Sequence, residues 1–363
     1  MPLRVPADSV IKDAKHGSED MANRPTIQDV AVRAGLSLIT VDRALNGRKK
    51  VRPETLRRIM EAAQAIGYHG VPLVEARLRD DLPSLRVGVL LLEGPHPAFF
   101  RGLGAGIEAE MRGLADFNGS ALLEFADWSD PQNVASRLRK LGQQVDAIAA
   151  MTIDHPAITA IVGELRDLGK PVYSLLSDFA PGVRESYIGL NNRQAGRAGA
   201  WFVSRVARRP GKVLAFVGSS RFHGHEMREI GFRSYLRERA PAFEVVDTVS
   251  HPGDEAATYR LTSDLLRRHE DLVAINLAGF GPEGVIHALR DSGRAGDVVL
   301  VCNEVTPESA TALTEEIVTL IIETPKVLLC RELVALIKQY KRDGASRPGQ
   351  AFLPFNLLMP ESI

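Results

Sequence analysis

The sequence predicts a small all-α helix-turn-helix head followed by a larger α/β core of two parallel-sheet subdomains. Three observations carry that prediction. Residues 24–68 hold three short helical patterns and no strand pattern. From Leu85 onward, short apolar runs alternate with helical patterns at intervals of ~25–30 residues, the texture of a parallel sheet with helices on both faces. There are about eight such runs, too many for one doubly wound unit and right for two; 363 residues also exceed the roughly 100–200 of one domain.

Taken in order, residues 1–23 are polar, charged and without period, so they are expected to be a disordered tail, with Met21 as an alternative start. Thr26 can cap a helix over Ile27–Ala34, with Asp29 in the capping-box position and Gly35 as its stop. Ser37 caps a second helix, Leu38–Leu45, that ends near Asn46-Gly47. A basic loop, Arg48–Arg52, follows. Pro53 opens a third helix that Gly67 ends, with Leu56, Ile59, Ala63 and Ile66 at helical spacing. Residues 69–84 contain Gly70, Pro72 and Pro83 and read as a hinge or linker with one short, conditional helix. The strands of the core are expected at Arg86–Leu92, Ala121–Phe125, Ala147–Met151, Val172–Leu176, Val213–Val217, Phe243–Val249, Leu272–Leu277 and Val298–Cys302, with a last apolar run at Phe352–Met359.

Composition removes several classes of function. Hydrophobic residues at 45% and charged residues at 25% are ordinary for a folded domain and exclude collagen-like or largely disordered chains. No apolar run nears the ~20 residues that span a bilayer, and the N-terminus lacks a signal-peptide core. Cys302 and Cys330 lie in apolar segments, so free buried thiols are expected, which fits a reducing, cytoplasmic setting. No P-loop, nucleophile elbow or His-Glu-x-x-His occurs. Gly102-Leu-Gly104-Ala-Gly106 lacks dinucleotide spacing, and Glu315-Glu316 are adjacent rather than facing. An enzyme is therefore not expected, nor a cofactor. His223, His225 and Glu226 lack an evident fourth ligand for a metal. The net charge of zero hides an asymmetry: residues 24–70 hold nine basic groups and four acidic ones. A basic head on a mildly acidic body points to a polyanion partner for the head alone.

Gly35-Leu36-Ser37 joins the first two helices, and Gly35 supplies a turn free of Cβ clash. Ala31 and Val41 are suitably small or branched where the helices would cross. Ser37, Leu38, Ile39, Thr40 and Arg43 then lie at the front of the second helix, the part that reads base edges in a major groove. The segment Thr26-Ile-Gln-Asp-Val-Ala-Val-Arg-Ala-Gly-Leu-Ser-Leu-Ile-Thr-Val-Asp-Arg-Ala-Leu-Asn-Gly47 resembles the DNA-binding head of the lac-repressor (LacI/GalR) family. Pro53-Glu-Thr-Leu-Arg-Arg-Ile and Ile66-Gly-Tyr68 continue the likeness, and the body resembles that family's periplasmic-binding-protein-like core.

The resemblance implies a homodimeric regulator, a repressor by default, that binds double-stranded operator DNA under control of a small sugar- or polyol-like effector. By position, Leu38 and Ile39 fall where the family reads bases; being apolar, they can touch thymine methyls but cannot hydrogen-bond. Arg43 can be bidentate to guanine. Thr26, Ser37, Thr40 and Asn46 are phosphate-positioning candidates. Lys49 and Lys50 read equally as phosphate contacts or solvated charges. Asp42 stands where the family usually has Ser, and would repel the DNA backbone unless paired, for instance with an arginine. Leu78 is the candidate for the family's minor-groove wedge, with a plain linker as the alternative.

The core is expected to form a first lobe from about 85–188 and 321–342 and a second from about 192–318 and 350–363, with the effector in the cleft between them. His96-Pro97-Ala98-Phe99-Phe100 resembles the loop whose aromatics stack on a sugar face in ribose-type binding proteins, which makes Phe99 and Phe100 candidates. Ser177, Asp178, Asn276, Asn303 and Glu304 stand at strand ends where they can hydrogen-bond hydroxyls. Glu226 falls where many relatives carry a sugar-binding Arg, so an acid there argues against an anionic effector. Rival readings are a solute-binding protein or a small-molecule enzyme of similar core fold.

Overall fold

The computed structural model describes residues 24–46, 51–80, 82–94, 97–219, 221–250, 254–279, 281–344 and 349–362. The expected tail at 1–23, Lys49, Lys50 and His96 lie outside the described residues. Two compact units result, the first essentially the chain up to Ser84 and the second most of the remainder.

The first unit begins with α1 (Ile27–Ala34) and α2 (Leu38–Asn46). Thr26 and Asp29 close the expected capping box, and the hydrogen bonds from Thr26 hold the Asp29 carboxyl below its ordinary pKa. Gly35 takes φ +62°, and Leu36 N donates back to Ala31 O, which ends the helix and turns the chain. α3 (Pro53–Ala65) and α4 (Val71–Asp80) follow. The conditional helix of the hinge segment is thus a full one of 10 residues. Val30, Ala31, Val41, Leu45, Leu56, Ile59, Ala63 and Val74 close a single small core over these four helices. Arg58 donates to Ala34 O at 2.8 Å and so ties α3 to the end of α1.

The second unit opens with β1 (Ser84–Leu92), α5 (Pro97–Arg112), β2 (Asn118–Ala126), α6 (Pro131–Gly142), β3 (Ala147–Ala150), α7 (Pro156–Asp167), β4 (Val172–Leu175) and β5 (Ser186–Leu190). The chain then crosses into α8 (Asn192–Val206), β6 (Lys212–Val217), α9 (His223–Arg239), β7 (Glu244–Ser250), α10 (Glu255–Arg268), β8 (Leu272–Leu277), α11 (Pro282–Asp291), β9 (Val299–Asn303), α12 (Pro307–Thr314) and β10 (Leu320–Glu323). It returns through α13 (Lys326–Asp343) and β11 (Gly349–Leu353), and ends in β12 (Asn356–Leu358). The sheet orders are β11-β5-β4-β3-β1-β2 and β12-β10-β9-β8-β6-β7. Every pairing is parallel except β10–β12 among those registered.

The C-terminal allocation differs from the sequence expectation. Leu320–Glu323, expected in the first lobe, is a strand of the second sheet, parallel to β9. Gly349–Leu353, expected in the second lobe, pairs with β5 of the first. The reason is proline. Pro325 separates β10 from α13, and Pro354 lacks the N–H that a continuous strand would donate, so the apolar run at 352–359 splits between the two sheets. Three crossovers therefore join the lobes, at Leu190–Asn192, Glu323–Lys326 and Leu353–Asn356.

Candidate functional site

Each unit carries one candidate surface. On α2, Val41, Ala44 and Leu45 are buried on one face. Leu38 and Ile39 project from the other, 45% and 62% exposed, with Arg43 exposed one turn further on. Ser37 and Thr40 hydroxyls bond to each other at 2.8 Å, and Thr40 N donates to Ser37 Oγ at 3.2 Å, which caps the helix. Asp42 accepts from Asn46 Nδ2 at 2.6 Å, an amide one turn on. The Thr26 hydroxyl is engaged in its own cap. Leu78 lies within α4, but its side chain falls outside the described residues. The local chemistry of this surface is an apolar pair and a cation at the front of a capped helix, with short polar groups beside them.

The second surface is a cavity between the two lobes of the core, at the carboxyl ends of both sets of strands. Phe99, Met151, Leu176 and Ser177 line it from the first lobe, and Gly224, His225, Arg228 and Glu304 from the second. Its volume is about 20 Å³, room for a water but not for a sugar. Ser177 Oγ accepts from Gly224 N at 3.1 Å across the gap. A Cβ on Gly224 would lie 3.2 Å from Leu176 O, so the approach depends on glycine. At the cleft edge Trp128 meets Phe222 edge-on, ring centroids 5.2 Å apart, with the Arg221 guanidinium over the Trp128 ring. Leu176 and Glu304, one on each wall, hold φ of +63° and +64° without being glycine. Such strained residues concentrate at functional sites.

Three of the sequence candidates, Phe99, Ser177 and Glu304, line the cavity. Phe100 is 1% exposed and packs into the core, edge-on to Phe99, because adjacent helical residues diverge by about 100°. Asp178 is turned away as well. Its two oxygens accept from Arg184 at 2.5 and 2.7 Å and from Ser174 Oγ at 2.7 Å. Burial works to raise the Asp178 pKa, but these bonds and the Arg184 charge win and hold it low. Asn276 and Asn303 are buried at the ends of β8 and β9 without lining the cavity. Asn303 Nδ2 donates to Leu277 O at 2.6 Å, while its Oδ1 has no partner among the described residues.

Glu226 is the clearest correction. It is half exposed, 3.8 Å from His223 Nδ1, and faces away from the cavity. The arginine on the cavity wall is Arg228, two residues on, which at ~100° per residue is the opposite face of α9. Glu226 therefore does not bear on the charge of an effector in this cavity. His225 also faces inward, so His223, His225 and Glu226 do not converge. The signal for Arg228 was the inward stripe Gly224, His225, Arg228, Gly231 and Phe232. Arg228 donates from Nε to Asn192 Oδ1 at 2.8 Å, and its Nη2 stands 3.9 Å from Glu304 Oε1. Glu304 accepts from Thr324 N at 3.1 Å and Thr324 Oγ1 at 2.5 Å. Burial raises the Glu304 pKa against the pull of Arg228 and Thr324, and lowers that of Arg228. The cavity wall thus sets a guanidinium opposite a carboxyl group.

Comparison with known proteins places both units. Residues 26–70 match the family of bacterial regulatory proteins of lacI type, and residues 87–343 match the periplasmic binding protein domain. The chain is a member of the LacI/GalR family of transcriptional regulators. Catabolite control protein A of Priestia megaterium is 31% identical over 127 residues, a stretch covering 35% of this chain and 36% of that protein. The regulator CelR of Thermobifida fusca is 25% identical over 93% of this chain and 98% of its own length. Among solved structures, a solute-binding protein of Agrobacterium vitis bound with α-D-tagatopyranose superposes with a TM-score of 0.68 at 18% identity. That match covers 77% of this chain and 95% of that one, and it establishes the fold of the core of this LacI/GalR-family regulator.

Proposed function

We propose that this LacI/GalR-family regulator acts as a homodimeric repressor in the cytoplasm. Leu38, Ile39 and Arg43 read each operator half-site, and Thr26, Ser37, Thr40 and Asn46 sit against phosphates. The observation that carries the reading is the exposure of Leu38 and Ile39 beside Arg43 on a helix whose other face is fully buried. Two large apolar side chains in water at the front of a capped helix gain a purpose if thymine methyls cover them. CelR, which matches 93% of this chain, is named a transcriptional regulator, which supports the same view.

The interlobe cavity is the proposed effector site. Phe99, Ser177, Arg228 and Glu304 supply an aromatic face, a hydroxyl and two opposite charges, a set that suits a neutral, hydroxylated ligand such as a sugar or polyol. Because about 20 Å³ cannot hold one, binding requires the lobes to part, and that motion is the proposed signal to the heads. The test is a melting-temperature screen of the whole protein against neutral sugars, polyols, sugar acids and amino sugars. A ligand at 100 times its Kd raises stability by about 2.7 kcal/mol. Stabilisation by at least one neutral polyhydroxy compound, lost in Arg228→Ala, is expected. Stabilisation only by charged compounds would refute the ligand class.

A further inference from the structure

Two of the three crossovers between the lobes end in a polar side chain that holds one member of the buried charge pair. Asn192, the first residue of α8 past the first crossover, is 7% exposed. Its Oδ1 takes the hydrogen bond from Arg228 Nε. Its Nδ2 donates to Leu176 O at 3.3 Å and to the Tyr187 hydroxyl at 3.0 Å, both in the first lobe. Asn192 is therefore a bridge between a second-lobe arginine and the first-lobe wall of the cavity. Thr324 lies on the second crossover and is 0% exposed, and both its N–H and its hydroxyl donate to Glu304.

The consequence is a spacing. Arg228 Nη2 and Glu304 Oε1 face each other at 3.9 Å, close enough to attract and too far to hydrogen-bond. The Arg228 Nη1 contact to Ala278 O is also long, at 3.5 Å. A guanidinium and a carboxyl group enclosed together would ordinarily close onto each other, since desolvation is recovered only in good hydrogen-bond geometry. Here each is held back by a bond to a crossover. One residue away, Asn303 Oδ1 is buried without a partner among the described residues, a further acceptor at this end of β9.

We infer that Asn192 and Thr324 are positioning residues that couple the state of the cavity to the angle between the lobes, by tethering Arg228 and Glu304 to the two crossovers. An occupant whose hydroxyl accepts from Arg228 and donates to Glu304 pulls on both crossovers at once. A carboxylate or phosphate would satisfy Arg228 while facing Glu304, and an ammonium would do the reverse. The purpose of the tether rests on the proposed effector reading; its geometry does not.

The test needs no effector and no DNA. The chain has two tryptophans, Trp128 and Trp201. In a Trp201→Phe background, Trp128 alone reports whether the cleft edge is closed on Phe222. Acrylamide quenching of the whole, ligand-free protein is compared in Thr324→Val, Thr324→Ser, Asn192→Ala and Thr262→Val. Thr262 is a control of equal burial on α10, where its hydroxyl donates to Thr258 O. Thr324→Val is expected to shift the closed-to-open ratio toward open by about fivefold, the equivalent of one lost hydrogen bond, and Asn192→Ala, which removes the bonds to Arg228, Leu176 and Tyr187 together, by more than that. Thr324→Ser and Thr262→Val are expected to match the parent, even where the melting temperature falls. Equal quenching in Thr324→Val and Thr324→Ser, or an equal rise in Thr262→Val, would overturn the inference. If the quenching pattern held while the sugar screen came back empty, the tether would stand and the effector reading would fall.

Discussion

Replacing Asp178 by Ala tests the reassignment of this residue from ligand contact to structural anchor. Asp178 and Arg184 are 8% and 5% exposed, and the guanidinium is held by both carboxylate oxygens and by Gly349 O at 2.7 Å. Removing the carboxylate leaves a buried cation with one carbonyl partner among the described residues, an arrangement that costs about 3–5 kcal/mol. The same bond network locks β11 beside β5, so the loss falls on the return of the chain to the first lobe. Urea unfolding of the wild type and Asp178→Ala, followed by far-UV circular dichroism, measures it. The double variant Asp178→Leu/Arg184→Met should recover most of the loss, because it removes both charges together. The pH dependence has a fixed sign. The folded-state pKa of Asp178 is depressed, so its stabilisation is fully present above the unfolded carboxylate range and is lost as pH falls through the folded value. A loss below about 1 kcal/mol in Asp178→Ala, within the range of ordinary surface substitutions and single neutral bonds, would refute the reasoning. So would a large loss that is independent of acid pH.

Other outcomes follow from the same structure. Arg43→Ala should weaken operator binding by about 1–3 kcal/mol and relax one base position, read by fluorescence anisotropy on a selected duplex and its single-base variants. Leu38→Ala with Ile39→Ala should change base preference without lowering the melting temperature of the head, since neither side chain is buried. Gly196→Ala would place a Cβ 1.9 Å from Arg228 O at the α8–α9 crossing, so it should destabilise the second lobe by about 1–3 kcal/mol or more and also blunt any ligand-induced stabilisation. Glu226→Ala should leave the ligand response unchanged, because that side chain faces away from the cavity.

The head was legible in the sequence almost residue by residue. Thr26, Gly35, Ser37 and Gly67 mark its boundaries through local chemistry, by capping a helix or taking a positive φ, and local chemistry is what sequence displays. The core strands were legible as apolar runs for the same reason. Ser186–Leu190 and Leu320–Glu323 were missed because both are short, and their burial comes from neighbours far away in sequence. The exchange of strands at the C-terminus depends on which sheet Leu320–Glu323 and Gly349–Leu353 pair with before the breaks at Pro325 and Pro354, and no periodicity encodes that. In the cleft, the direction of a side chain on its helix decided success. Phe99 and Phe100, or Glu226 and Arg228, are close neighbours in sequence, but a rotation of one or two residues separates a cavity wall from the core or the solvent. Asn192 and Thr324 gave no sequence signal at all; their roles come from lying where the chain crosses between lobes.

The measurement closest to the central claim is selection of duplexes from a random library by the whole protein at low salt, followed by titration of the selected site at increasing salt. Enrichment of a pseudo-palindromic site is expected, with affinity falling steeply as salt rises because the release of counterions then gains less, and the triple variant Leu38→Ala/Ile39→Ala/Arg43→Ala should enrich nothing above the starting pool. Enrichment of the same site by the triple variant, or no enrichment by the wild type at low salt, would contradict a head that reads DNA through the exposed face of α2.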